Sequence, residues 1–264
     1  MIIITTRLGK ALLLPALVLV AAVGTGCIST TESVFTEDAS PEKALEQRVS
    51  LARQYIGEGN WESAKRNLKL AYEIDPNSAE VHEAFALVYQ STGEYELAEE
   101  SFKKAIKLDR GFSRARNNYA VFLFSQERYE EAEEQLVYVT ADTLYSARPS
   151  AFVNLGLCRL KLFDPEGAEK AFVRALAMDR TNRIALLEVS EIRFDAGDYV
   201  NATKYYDTYK TVAQQQSARG LWLGIRLAQA TGDRNAEGSY VLALSNRYPK
   251  SEEYQSYLRT KQSD

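Results

Sequence analysis

The side chains with the strongest chemistry are few. His82 is the only imidazole and the cysteines are Cys27 and Cys158, so a multi-ligand His/Cys metal site is nearly excluded by count. General acid/base or nucleophilic chemistry needs a nucleophile beside a base, and no such pair is evident. Acidic pairs such as Glu99-Glu100, Glu130-Glu131 and Glu133-Glu134 fall on polar stretches with helical spacing, where they read as solvated faces rather than acid/base dyads. No glycine-rich, phosphate-cradling loop is present. The residues imply no cofactor and no enzyme.

Cys27 stands apart by position. Arg7 and Lys10 form a short positive segment, Ala11 to Val23 is an apolar run containing Pro15, and Gly24-Thr25-Gly26-Cys27 follows. The run is too short to span a bilayer comfortably and has the layout of a secretory leader. Small residues ending in Cys resemble the lipobox of bacterial lipoproteins, in which the Cys becomes the lipidated first residue. Gly24 stands where Leu, Val or Ile is usual. An ordinary leader with an incidental Cys, or an uncleaved anchor, is the competing reading. Ile28 and Ser29 follow the Cys, without the Asp of inner-membrane retention, which resembles lipoproteins sent to the outer membrane. The sequence thus divides into a leader at 1–26, a lipidated tether at 27–44 rich in Ser, Thr and acids, and a folded body at 45–264. Such a tether has an rms reach of about 20–25 Å.

Composition bounds the body. Residues 27–264 contribute −6 against −4 for the whole chain, because residues 1–26 hold two cations and no acid. A mildly acidic body without a basic block argues against nucleic-acid binding, which needs several Lys/Arg on phosphates. A monomer is expected.

What must position any functional side chain is a repeat of 34 residues. Ala64-x3-Leu68-x2-Ala71, Ala98-x3-Phe102-x2-Ala105 and Ala168-x3-Phe172-x2-Ala175 mark it. Units begin near Leu45, Ala79, Ser113, Pro149, Arg183 and Ser217, so only the fourth start is late, by two residues. That excess falls around Thr140 to Arg148. Small residues at positions 8 and 20 let two helices approach, and large residues fill the space between. Position 15 favours Gly for a turn with positive φ, although the third unit has Glu127 there. The pattern resembles the tetratricopeptide repeat. It predicts an all-α superhelix of six helix-turn-helix repeats, closed by a polar capping helix over Ser251 to Lys261. His82 then falls at a packing position, and Cys158 at a site that favours a small apolar residue.

In such a stack the first helix of each repeat lines the concave face. Those positions are apolar here: Val49, Ile56, Leu87, Val121, Phe124, Val153, Leu157, Leu160, Leu187, Phe194, Leu221, Trp222 and Ile225. A contiguous apolar groove marks a partner site for an amphipathic helix or extended segment. Tight curvature would instead bury much of the stripe. Asn118 and Asn154 share position 6 of adjacent repeats, where an amide meets a bound peptide backbone or simply follows the repeat consensus. The repeats next to the tether carry slightly more weight as the binding end.

Strings outside the repeat consensus narrow the family. Asn117-Asn118-Tyr119 with Phe122-Leu123, Asp142-Thr143-Leu144-Tyr145, Asn154-Leu155-Gly156-Leu157, Leu223 to Ala228, and Tyr248-Pro249-x-Ser251-x-x-Tyr254-Gln255 together resemble the type IV pilus biogenesis/stability lipoproteins, the PilF/PilW pilotin family. The resemblance implies a lipid-anchored, periplasm-facing outer-membrane adaptor for twitching motility. Its partner would be the pilus secretin, which it helps to localise and multimerise. Another periplasmic repeat adaptor, serving a protease, a cell-wall enzyme or barrel assembly, is the alternative.

Overall fold

The computed structural model describes residues 40–263. Cys27, the leader and residues 27–39 of the tether lie outside the described residues. Six antiparallel helix pairs follow one another along the chain. They are α1 (Pro41–Gly57) with α2 (Trp61–Ile74), α3 (Ala79–Thr92) with α4 (Tyr95–Leu108), and α5 (Ser113–Ser125) with α6 (Tyr129–Ala141). Then come α7 (Arg148–Lys161) with α8 (Pro165–Met178), α9 (Arg183–Asp195) with α10 (Tyr199–Val212), and α11 (Ala218–Thr231) with α12 (Arg234–Arg247). The last helix, α13 (Glu252–Ser263), caps the stack.

The first helix starts earlier than its repeat. Residues 41–44, read from sequence as tether, form the first turn of α1. Ser40 caps it by accepting from Lys43 N at 3.3 Å, and Pro41 supplies a φ already suited to a helix start. Later helices use the same device: Asn60, Asp164, Asn182, Asp198, Ser217 and Asp233 each accept from a backbone N–H three residues on.

Burial repeats with the sequence period. Position 20 is Ala64, Ala98, Ala132, Ala168 and Ala202, all 0 % exposed. Position 24 is filled by Leu68, Phe102, Leu136, Phe172 and Tyr206, all buried. Small residues let helix backbones close up, and the large ones fill the space left. Position 8 shows how little slack there is. A Cβ on Gly156 would stand 2.5 Å from the Phe172 ring, so only glycine fits.

Turn geometry separates the repeats into two kinds. Gly59, Gly93, Gly197 and Gly232 hold positive φ between the helices of a pair. Glu127 and Phe163 occupy the corresponding place in repeats three and four, both at φ 59, a conformation that costs a side chain about 1 kcal/mol or more. The other irregularity is the six-residue connection 142–147 from α6 to α7, where 75–78, 109–112 and 179–182 need four.

His82 and Cys158 are packed structurally. His82 Nε2 lies 2.9 Å from the Pro76 carbonyl, and its ring meets Tyr72 edge-on at 5.9 Å. The Cys158 thiol is buried and donates to the Tyr129 carbonyl at 3.0 Å; burial pushes its pKa up to about 11. Such a thiol is a poor nucleophile at neutral pH. The capping helix is not wholly polar, since Tyr254 and Tyr257 pack against Leu221, Ile225 and Leu244.

Candidate functional site

The odd-numbered helices pack side by side, α1 on α3, α3 on α5, α5 on α7 and α9 on α11. Their shared face is where the apolar stripe was expected. Packing divides that stripe. Val49, at 3 % exposed, packs with Ala71 and Val81 in the core and does not line a groove. Val153, Leu187, Leu221 and Ile225 are buried as well, the last two beneath α13. Here a neighbouring element covers positions that the repeat pattern alone leaves open. Ile56 and Leu87 are partly buried against the clusters of repeats one to three.

Repeats three and four differ. Between α5 and α7 lies an apolar cleft of about 70 Å³, lined by Ala120, Val121, Phe124, Leu136, Asn154 and Leu157. Val121 is 42 % exposed at its lip. Phe124 is held edge-on to Tyr129 at 5.1 Å, so its ring is positioned rather than free. Small-molecule sites run to about 300–1,000 Å³, far larger than this cleft. Its size suits one apolar side chain of a partner, the anchor-in-pocket arrangement of protein interfaces. This cleft lies mid-stack, on repeats three and four.

The two asparagines have separate uses. Asn118 donates to Glu83 at 2.6 Å, and Asn154 donates to Asn117 at 3.2 Å while also lining the cleft. Glu83 is 0 % exposed on α3 and also receives Arg53 at 2.7 Å, with Arg114 3.9 Å away. Burial lowers the Arg53 pKa, opposed by the Glu83 carboxylate. A matching network ties α9 to α11, where Arg219 holds buried Glu188 and also Glu191, and Arg226 holds Glu191. A buried carboxylate needs such partners, since an uncompensated one is costly.

These networks were not read from the sequence, though a signal was there. Arg53 and Glu83 are 30 residues apart and Glu188 and Arg219 are 31 apart. Opposite charges about one repeat apart on first helices are what stacking brings together. Tyr145 was missed in the same way. The long loop carries it to the neighbourhood of Arg114 and Glu83, and burial pushes its phenol upward in pKa. The loop is pinned by Asp142, which accepts from Ser113 Oγ at 2.5 Å and from Leu144 N at 3.0 Å.

Among the described residues no three His, Cys, Asp or Glu side chains gather as metal ligands, and no helix is long and apolar enough to cross a membrane.

Comparisons with known proteins agree with this fold. The tetratricopeptide repeat family matches at residues 83–151 and 153–218. The type IV pilus assembly protein PilF of Pseudomonas aeruginosa is 40% identical over 248 residues, which is 93% of this chain and 98% of that protein. A solved structure from the functional characterization of Pseudomonas aeruginosa PilF superposes with TM-score 0.80 at 40% identity, covering 83% of this chain and 99% of that chain. PilW, a widely conserved type IV pilus biogenesis factor, superposes with TM-score 0.71 at 27% identity, covering 82% and 99%. YrrB, a tetratricopeptide protein with an unusual peptide-binding site, shares the fold at 17% identity and TM-score 0.60, covering 73% of this chain and 97% of its own.

Proposed function

The chain belongs to the family of the type IV pilus assembly protein PilF, within the tetratricopeptide-repeat proteins, and we propose that it acts as a pilotin for the pilus secretin. In this reading Cys27 carries the lipid and the body faces the periplasm from the outer membrane. A secretin segment docks on the inner helices, and the protein acts as an adaptor, not as an enzyme. The observation that carries the reading is the cleft formed by Val121, Phe124, Asn154 and Leu157, a preformed seat for one apolar side chain.

The physical advantage is concentration. Each buried methylene of an acyl chain contributes about 0.8 kcal/mol, so several chains hold the adaptor firmly. A secretin subunit bound to it is confined to the membrane surface, where subunits meet at a raised effective concentration.

The test is capture of secretin fragments by the body, residues 40–264, with Val121→Asp as the site variant. Binding by the native body and loss in the variant, with an unchanged melting curve, supports the proposal. Failure of every secretin fragment to bind refutes the partner; binding that survives Val121→Asp refutes the cleft.

A further inference from the structure

Every repeat is the same antiparallel hairpin, so the connections from each second helix to the next first helix line one edge of the stack. Cations collect on this edge at repeats three to five. Arg148 opens α7 and Arg183 opens α9, and neither helix has an acid in its first turn. A cation at a helix N-terminus opposes the macrodipole, so helix stability does not account for Arg183. Arg148 and Arg174 flank the Phe152 ring at 5.5 and 5.9 Å, which sets the end of α8 beside the first turn of α7. Arg180 is exposed in the next connection. Arg148 is held in place, its Nε donating to the Thr140 carbonyl at 2.8 Å; among the described residues Arg174, Arg180 and Arg183 have no ion-pair partner.

The acids of the same two connections, Asp142 and Asp179, are bonded to the chain itself, and Asp142 also feels the charge of Arg148. Asp142 accepts from Ser113 and Leu144, and Asp179 from the backbone and hydroxyl of Thr181 at 3.0 and 2.8 Å. Between the arginines stand uncovered apolar side chains. Leu144 is 93 % exposed on the long loop, Ile184 is 50 % exposed beside Arg183, and Met178 is 41 % exposed beside Arg180. Guanidiniums interleaved with apolar tips suit a surface that offers phosphates first and hydrocarbon just beneath them.

We propose that this edge docks on an anionic phospholipid surface, with Arg174, Arg180 and Arg183 at headgroup phosphates and Leu144 and Ile184 at the acyl boundary. The proposal takes its context from the lipid anchor proposed above. Thirteen residue steps separate Cys27 from Ser40, at most about 45 Å of chain, so an anchored body stays within that distance of the membrane and meets the headgroups repeatedly. Charge sets the orientation, since the whole chain carries −4 and this edge is locally positive. With the edge down, the cleft on the inner helices stays open to a protein partner.

The test uses residues 40–264, which hold all thirteen described helices in one compact unit. They are sedimented with vesicles of phosphatidylcholine alone or with about one-third phosphatidylglycerol, at an ionic strength near physiological. The expected result is binding to the anionic vesicles only. Arg174→Glu/Arg180→Glu/Arg183→Glu lowers it at least about tenfold, Leu144→Asp lowers it further, and melting stays unchanged. No preference for anionic vesicles, or a triple variant that binds like the native body, overturns the proposal. So does equal competition by millimolar inorganic phosphate, which would mark a free-anion site. A triple variant that loses secretin capture but keeps vesicle binding also overturns it and makes the edge a protein contact. Neither Cys27 nor the secretin enters the vesicle assay, so it fails or succeeds independently of the pilotin reading.

Discussion

Asn118 donates its side-chain amide to Glu83 at 2.6 Å, and Arg53 reaches the other oxygen of the same carboxylate at 2.7 Å. Three repeats are thereby joined through one buried acid. The amide that repeat position alone assigned to a bound peptide is spent on holding the stack together. Removing the acid leaves Arg53 without its partner, and breaking a buried pair in this way costs about 3–5 kcal/mol. Glu83→Ala should therefore lower the thermal midpoint far more than Asn118→Ala, which removes one hydrogen bond to a charged group, about 1.5–3 kcal/mol. Equal, small shifts for both variants would show that the network carries no stability.

Val121 and Phe124 should separate binding from folding. Val121 is 42 % exposed, so Val121→Asp should change stability by about 0.5 kcal/mol or less while abolishing capture of the partner. Phe124→Ala should cost about 1–3 kcal/mol, since it also empties the contact with Tyr129. Titration calorimetry beside thermal melts distinguishes the two effects.

Acid should loosen the stack at repeats two and three. Hydrogen bonds from Arg128, then Lys103 and Tyr119, hold the Glu99 carboxyl down to about 2 against a burial penalty. A depressed folded pKa means that this stabilisation is present above the ordinary carboxylate range and is lost as pH falls from about 5 toward 2. Discounted for solvent screening, it is on the order of 2 kcal/mol. Glu99→Gln should flatten that part of the stability–pH curve and leave the curve above pH 6 parallel to the native one. An unchanged acid limb would disprove the assignment.

Gly156→Ala is expected to destabilise by about 1–3 kcal/mol, because its methyl would meet the buried Phe172 ring. Gly238→Ala, where no atom lies within 4 Å, should be neutral or stabilising by up to about 1 kcal/mol. Chemical denaturation of the pair measures the difference, and its absence would mean that α7 can shift away from α8.

Glu127→Gly and Phe163→Gly relieve the two positive-φ turns. Each should leave stability equal or raise it by up to about 1 kcal/mol. Phe163 is 92 % exposed, so its ring makes little packing contribution to lose. A loss above about 1 kcal/mol would reveal a contact that compensates the strain.

The sequence by itself determined the repeat. Small residues at positions 8 and 20 with large ones at 24 specify paired helices, because only that spacing lets backbones close while the gaps fill. The same pattern located the two-residue excess, since an insertion that breaks the period must fall in a connection. It also placed His82 and Cys158 in packing roles. Only the tertiary structure decided which apolar first-helix residues remain open. Val49 and Val121 sit on first helices of the same design, yet one is closed in by Ala71 and Val81 and the other stands at the lip of a cleft. Burial there depends on the neighbouring repeat, and for Leu221 and Ile225 on α13. The partners of Glu83 and the position of Tyr145 likewise required the stack, because both arise between repeats that a single period cannot orient relative to each other.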